Sequence, residues 1–482
     1  MKHLLRGAVL LVIIVISLSP AVYSRAQDES EFDGVWFVED GFVVLNIEGD
    51  LVEILAPGQD GCTPMMELEL DGDEVFENGV VVYTLELAED DEILVIWQGD
   101  EVAAEAEYYE SLDEVCTMHA FDISVETITS LDDVETLISE VFDQSSIPGM
   151  AVAIVGPQGV IWSGGYGFAD VDKGLSVTPD TPFMLASVTK VFTGTSLMMA
   201  WEEAGFDLDM PVNDLLPFQV DNPHTDGEVI TLRHLATHTS GLLDNWEIYN
   251  AMYTPGDSPI ALGDFLEGYL TAGGEWYDAD ENFADWMPGE VAEYSNVGAA
   301  LAGYMMEMIT GTPLDDYADA HLFGPLGMTN THWHLADFPD VSIIAIPYEN
   351  GETALDHYGY PTWPDGQLRS SANDLGRFLA TILNGGELDG VRILQPETID
   401  AMMQPQIPTA DPYQGWFWAL GDKPGEAGHS GGDPGVATNI GINRNLGLGL
   451  ILLTNSDSSE MSLVWDALAG PIFESAAVLK GE

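Results

Sequence analysis

Positive charge is what this sequence lacks most. Its 482 residues include 12 Lys and Arg against 82 Asp and Glu. Lys2, Arg6 and Arg25 fall in the first 26 residues, where no acid stands, so the rest carries 9 basic against 82 acidic side chains, net −73. Such a surface has no basic patch to neutralise phosphates, which excludes nucleic acid as a partner and disfavours anionic membranes. It also repels itself. That repulsion is tolerable where salt shortens the Debye length to about 3 Å, as at 1 M, or where low pH protonates many carboxylates. A saline or an acidic setting is therefore expected, with stability that depends on both.

Cysteine is scarce as well, with Cys62 and Cys116 alone and both in the N-terminal segment. Two readings stand: one disulfide closing that segment in an exported chain, or a buried free pair. No His or base motif accompanies either, so neither reads as catalytic. Long apolar runs are missing after the start. There, Lys2 and Arg6 precede the apolar stretch from Ala8 to Leu18, and Ser24-Arg25-Ala26 places small residues at the two positions a signal peptidase inspects. This reads as a cleaved signal peptide over residues 1–26. The competing reading, an uncleaved anchor, meets a run that is short for a span of about 20 residues. No later stretch is long and apolar enough to cross a bilayer, so the expectation is a secreted or periplasmic protein with no stable membrane insertion after signal cleavage. There is no internal repeat.

From Phe32 to Asp122 short apolar runs alternate with turn signals: Asp40-Gly41, Gly49-Asp50, Asp71-Gly72, Asn78-Gly79 and Gly99-Asp100. Phe42 to Ile47, Leu51 to Leu55, Val80 to Leu87 and Glu92 to Trp97 have the length and β-branched content of strands. Residues 27–123 thus read as a small all-β accessory domain, sandwich or barrel, without a chemical motif. At about Ser124 the pattern changes. Leu131, Val134, Leu137, Ile138, Val141 and Phe142 recur at helical spacing behind a Ser130 cap. A hairpin from Met150 to Ser163 follows, then a helix from Ser187 to Glu203, a helical and loop-rich middle, a strand pair over 436–443 and 447–455, and a closing helix from Met461. Strands at both ends with helices between predict an α+β domain over 124–482, its terminal strands sharing one sheet.

Three elements carry chemistry. In Phe183-Met-Leu-Ala-Ser187-Val-Thr-Lys190 a Ser and a Lys stand three apart at a helix start, on one face, with Cβ atoms about 5–6 Å apart. A Ser hydroxyl needs a neighbouring base to become a good nucleophile, and a lysine serves when burial or nearby charge lowers its pKa. Only four lysines follow residue 26, and one of them occupies this spacing amid apolar residues. The second element is Glu293-Tyr294-Ser-Asn296, in which Tyr294 can relay a proton beside Lys190 and Asn296 can both donate to and accept from a substrate. The third is Gly428-His429-Ser430-Gly431-Gly432-Asp433-Pro434-Gly435, where small residues let a substrate pair with a strand edge. Taken alone, each also fits a bland reading: a surface lysine, turn chemistry, a Gly-rich turn before a strand.

These elements, in this order, resemble the serine β-lactamase and DD-peptidase superfamily, in the branch of class C β-lactamases, DD-carboxypeptidases, D-aminopeptidases and related esterases. Leu232-Arg-His-Leu-Ala-Thr-His-Thr-Ser-Gly241-Leu, Gly366-Gln-Leu-Arg-Ser-Ser-Ala-Asn-Asp374 and Leu453-Thr-Asn455 resemble the same family, and the likeness runs from about Ser130 to Glu474. It implies an antiparallel sheet flanked by helices plus a helical subdomain. It further implies a Ser187 acyl-enzyme, with Lys190 and Tyr294 as coupled base and acid, and an oxyanion hole from the backbone N–H groups of Ser187 and Gly432. Asn296, His429, Ser430, Gly431 and Gly432 would bind the substrate, a small molecule or short peptide, with no cofactor. One departure matters: many members have Lys and Thr where this chain has His429 and Ser430. A His of ordinary pKa is mostly neutral at pH 7 and is a poorer partner for a substrate carboxylate. D-Ala-type peptidase, D-aminopeptidase or esterase action is therefore expected ahead of efficient β-lactamase action. The alternative from another class is a catalytically silent penicillin-binding-like protein. His234, His238, His332 and His334 lack Cys or carboxylate partners at ligand spacing, so no metal is expected. Trp246, Trp276 and Trp286 read as core or lid packing, or as the lining of a cleft.

Overall fold

The computed structural model describes eight strands between Gly34 and Tyr109 and the chain from Phe121 to Gly481, apart from Glu126, Asp226, Glu228 and Ser459. Residues 1–26, which the sequence reads as a signal peptide, and both cysteines, Cys62 and Cys116, lie outside the described residues. The chain divides into two compact units. One comprises Met1–Glu126 with Asp143–Ser145 and Ser459–Gly470, and the other Thr127–Phe142, Ser146–Ser458 and Pro471–Glu482.

In the first unit, β1 (Gly34–Val38), β2 (Val43–Glu48), β3 (Leu51–Ala56), β4 (Thr63–Asp71), β5 (Glu74–Glu77), β6 (Val80–Leu87), β7 (Ile93–Gln98) and β8 (Glu101–Tyr109) form a closed barrel. Each strand pairs antiparallel with the next in sequence, and β1 pairs with β8 to close the ring. Leu45 and Ile47 on β2 are buried and face Ile54 and Val52 on β3, the period of two that puts alternate side chains inside. Of the two architectures the sequence left open, the barrel is the one formed. Closure leaves no sheet edge to pair with another chain.

Helix α1 (Leu131–Gln144), which belongs to the second unit up to Phe142, buries Val134, Leu137, Ile138 and Val141. After it come β9 (Gly149–Gly156), β10 (Gly159–Asp170), β11 (Leu175–Ser176), β12 (Ala419–Leu420), β13 (Glu426–Asp433), β14 (Val436–Asn443) and β15 (Leu448–Thr454). They form one antiparallel sheet in the order β11-β10-β9-β15-β14-β13-β12. Ile154 pairs with Leu450 and Val152 with Leu452, so strands from the two ends of the domain lie side by side, as the sequence predicts. Both are buried over their whole length, which explains their unbroken apolar runs.

Helix α2 (Thr189–Ala204) is buried on every side from Thr189 to Ala200, its polar side chains Lys190, Thr193 and Thr195 hydrogen-bonded within the protein, and it stops at Gly205 in the left-handed conformation. Its start corrects the sequence reading. Ser187 is not the first α-helical residue but the middle of a 3-10 turn, Ala186–Val188, and the α-helix begins at Thr189. Ala186 has φ 47°, a left-handed backbone unfavourable for a residue with a Cβ, and it breaks the helical path just before the serine. A two-residue ladder, Phe183–Met184 with Arg369–Ser370, and the bond from Leu185 N to Leu368 O (2.8 Å) fix the approach to this turn. Helix α3 (Asn296–Thr310) and helix α4 (Ala372–Leu383) complete the frame. Each starts at a serine that accepts a backbone N–H, Ser295 from Gly298 and Ser371 from Asp374.

Candidate functional site

Thr181 to Lys190 is buried except at Ser187, which is partly open. Lys190 is fully buried, and its Nζ donates to three acceptors: Ser187 Oγ (3.1 Å), Asn296 Oδ1 (2.6 Å) and the Asp365 carbonyl oxygen (2.9 Å). An ammonium has three N–H bonds, and all three are used. This offsets the desolvation that burial imposes on a charge. The acceptors arrive from the turn Ala186–Val188, from the start of α3 and from the turn Trp363–Asp365, so the lysine, itself on α2, joins three separate elements.

Three carboxyls lie close enough to feel this cation. Asp365 is buried, and burial pushes its pKa up to about 8 against the opposing pull of Lys190. Its Oδ2 has no partner among the described residues. Asp244 is half-buried, and burial raises it to about 6 even though it accepts N–H bonds from Asn296 (2.8 Å) and Val297 (2.9 Å). Asp433, at the end of β13, is raised by burial to about 6. Bonds from Tyr253 Oη (2.6 Å) and Tyr360 Oη (2.9 Å) favour its charged form.

Tyr294 stands just before α3, with Lys190 Nζ 4.9 Å from the centre of its ring, a cation-over-ring contact. Its hydroxyl is buried and has no hydrogen-bond partner among the described residues. The His238 ring stacks on the Tyr294 ring at 4.3 Å between centroids, and the His429 ring lies at 6.5 Å from it.

His429, Ser430, Gly431 and Gly432 lie on β13, facing Ile440, Asn439, Thr438 and Ala437 of β14. Gly431 is required here. A Cβ on it would meet the Leu185 carbonyl oxygen, Thr438 Oγ1 at 2.6 Å and Ser187 N at 3.0 Å. The third motif therefore runs directly beside the backbone of the serine turn, and Thr438 Oγ ties it there by donating to Leu185 O (2.6 Å). Gly432, by contrast, has open space where a side chain would project. His429 Nδ1 lies 2.6 Å from the Ser430 carbonyl oxygen, so Nδ1 carries the proton. Burial, and then the charge of Lys190, push its pKa down to about 4, leaving it neutral at pH 7.

The structure thus brings Ser187, Lys190, Tyr294, Asn296 and the strand from His429 to Gly432 together. It also adds residues the sequence reading gave no role: His238, Asp244, Asp365 and Asp433. His238 and Asp433 fall inside segments whose family likeness was visible, which was the available signal. Asp365 contributes a main-chain oxygen, for which no side-chain pattern exists. Of the tryptophans, Trp246 is exposed, Trp276 packs on Phe265 (5.2 Å) and Trp286 is partly buried with its N–H unpartnered among the described residues. Among the described residues no group of three or more His, Cys, Asp and Glu is placed to hold a metal ion. A cavity of about 430 Å³ between Phe218, Leu262, Tyr304 and Trp363 contains none of the motif residues, so chemistry and not concavity locates the site.

Residues 134–469 match the family model described as Beta-lactamase. The Protein flp of Staphylococcus aureus (strain MW2) is 26% identical over 337 residues, 69% of this chain and 64% of that protein. This chain therefore spans under two thirds of that relative's length. Penicillin-binding protein 4 of Amycolatopsis lactamdurans is 28% identical over 333 residues, 64% of this chain and 81% of that protein. The solved structure of a beta-lactamase/D-alanine carboxypeptidase from Pseudomonas syringae superposes with a TM-score of 0.54 at 20% identity, over 70% of this chain and 98% of its own, a likeness of fold.

Proposed function

The chain belongs to the beta-lactamase family, and on that premise we propose that it is an exported serine hydrolase that cleaves an amide or ester through an acyl-enzyme on Ser187. The observation that carries this reading is the buried Lys190, whose Nζ reaches Ser187 Oγ at 3.1 Å while its other two bonds hold it in place. In the reactive form Lys190 is the neutral amine: its two N–H bonds stay on Asn296 Oδ1 and the Asp365 carbonyl oxygen, and its lone pair, with Tyr294 beside it, takes the hydroxyl proton as Ser187 Oγ attacks the carbonyl carbon. The proton then moves to the leaving amine or alcohol as the carbon–heteroatom bond breaks. Water attacks the resulting ester, and the serine is regenerated. Gly431 lets β13 lie against the serine turn, and the open space at Gly432 leaves room for the substrate there, where backbone N–H groups can bind the oxyanion.

Neutral His429 shapes the expected substrate. It offers no permanent cation to a substrate carboxylate, which favours D-Ala-type peptidase, D-aminopeptidase or esterase action over efficient β-lactamase action. The acidic surface adds that small or neutral substrates approach more readily than anionic polymers at low salt. Export rests on the 1–26 segment. No helix of the described residues is long and apolar enough to cross a membrane.

Incubation with a fluorophosphonate or a penicillin, followed by peptide mass mapping, tests the chemistry, alongside turnover of nitrocefin, a p-nitrophenyl ester and a D-Ala-D-Ala peptide. A stable adduct on Ser187 and turnover of one substrate are the expected results. No adduct and no turnover at any salt concentration would replace the hydrolase by a silent binding protein. Gly431→Ala tests the placement of β13. The added methyl has nowhere to go against Leu185 O, so the strand shifts and kcat is expected to fall by about 10²-fold, as a 1 Å misplacement does. A folded variant with unchanged steady-state kinetics would show that the strand does not bear on the serine.

A further inference from the structure

The second motif does not hold itself in place. Most of the bonds to its backbone N–H groups, and two more to the chain leading into it, come from one loop. His238 O accepts from Glu293 N (2.8 Å), Thr239 O from Gly289 N (2.7 Å), and Gly241 O from Ala284 N (2.9 Å). His238 Nδ1 accepts from Ser295 N (3.2 Å), and Asp244 Oδ2 and Oδ1 accept from Asn296 N (2.8 Å) and Val297 N (2.9 Å). The backbone N–H groups of residues 293, 295, 296 and 297 are thus all bound from this loop. Tyr294 itself is packed by the His238 ring.

We propose that the segment His238–Asp244 is the positioning element of the second motif, His238 acting through Tyr294 and Asp244 through Asn296. Neither residue is hydrogen-bonded to Ser187 among the described residues. His238 adopts φ 56°, a left-handed conformation uncommon for a residue with a side chain, and it is this backbone that presents both its carbonyl and its ring to the Tyr294 segment. Because Nδ1 accepts a hydrogen bond, the proton of the neutral ring sits on Nε2, which is buried and unpartnered among the described residues. A second proton has no place on Nδ1 without breaking the bond to Ser295. Burial, and then the nearby Lys190, act in the same direction, holding the ring neutral. Asp244 does the complementary work. Its ionised carboxylate accepts the first two N–H groups of α3, where the helix dipole favours a negative charge. This aims the Asn296 amide at Lys190, which it meets at 2.6 Å. The groups facing Asp244 are Lys190, Asp365, Glu293, Tyr249 and Tyr269.

The assignment rests on the hydrolase reading, and paired variants of the full chain test it separately from that reading. His238→Phe keeps a ring and removes the acceptor, while His238→Asn keeps an acceptor near Nδ1 and tolerates the left-handed backbone. Asp244→Ala removes both acceptors, and Asp244→Asn leaves one that does not titrate. His238→Phe and Asp244→Ala are expected to lose about 10²-fold in kcat with KM nearly unchanged, and the Asn variants to recover about tenfold of that loss. Asp244 is ionised above about pH 6, so the wild type should lose activity as pH falls through that value. Asp244→Asn should lack that limb. A purely structural role would lower thermal stability without changing the pH profile or the split between the Phe and Asn variants. If wild type is active and the Phe and Asn variants of His238 are equally impaired, or the profile of Asp244→Asn retains its acid limb, the assignment fails. A wild type that is neither labelled nor active removes the hydrolase reading first and this assignment with it.

Discussion

Lys190→Ala is expected to lower turnover about as far as Ser187→Ala, on the order of 10⁴- to 10⁶-fold, and the double variant no further, because groups that act as one unit are not additive. The geometry supports such a unit. Lys190 Nζ is bonded to Ser187 Oγ and stands over the ring of Tyr294, so removing it leaves the hydroxyl without its base and the tyrosine without the amine it shares the proton with. The same change strips Asn296 Oδ1 and Asp365 O of their donor, and a buried acceptor left unmade costs about 1–3 kcal/mol. A drop in melting temperature should therefore accompany the loss of activity. Lys190→Met, which fills the volume, separates the two: its stability should recover in part and its turnover should not. Rates of fluorophosphonate labelling on Ser187 provide the check. A folded Lys190→Met protein that acylates at a tenth of the wild-type rate would exclude Lys190 as the base and leave the task to Tyr294.

What could be read from the sequence follows from how local each signal is. The Ser187–Lys190 pair was legible because three residues of helical chain set the distance between them. Half of the barrel strands were legible because turn dipeptides and β-branched runs mark them. β8 was not. Its sequence, Glu101-Val-Ala-Ala-Glu-Ala-Glu-Tyr-Tyr, is rich in residues that favour helix, and pairing with β7 and β1 overrides that preference. The start of α2 lies two residues beyond Ser187 because the chain turns left-handed at Ala186, a conformation for which alanine carries no residue signature. Asp244 and Asp365 were invisible as site residues because one binds backbone N–H groups 52 and 53 residues away and the other offers a backbone oxygen to a lysine 175 residues away. Nothing in their side chains announces either contact.

Stability is expected to be highest near pH 5, to fall by several degrees of melting temperature between pH 5 and 8 at low salt, and to be only partly restored by 1 M NaCl. Two effects point the same way. The chain carries a formal charge of −70 at pH 7. Several of its few cations are already engaged in ion pairs, Lys173 with Asp170, Arg233 with Asp209, Arg377 with Asp389, Arg392 with Glu387 and Arg444 with Asp400, so the remaining carboxylates repel one another. Salt screens that surface term at a Debye length of about 3 Å. It does not reach the buried acids. Asp365 is raised to about 8, Glu307 to about 7, and Asp244 and Asp433 to about 6, each chiefly by burial. A carboxyl whose folded pKa lies above its unfolded value of about 4 binds more protons when folded, so stability declines as pH rises from there to the folded pKa. On the acid side the sign reverses. Asp170 and Asp209 are lowered by their bonds to Lys173 and Arg233, and the stability they contribute is lost as pH falls through their depressed values. Asp365→Asn distinguishes the buried part from the surface part, since an amide at that position does not titrate. Its melting temperature in 1 M NaCl should depend less on pH between 6 and 8 than that of the wild type. Equal slopes for the two proteins would mean that Asp365 is ionised throughout, and that Lys190 holds it so.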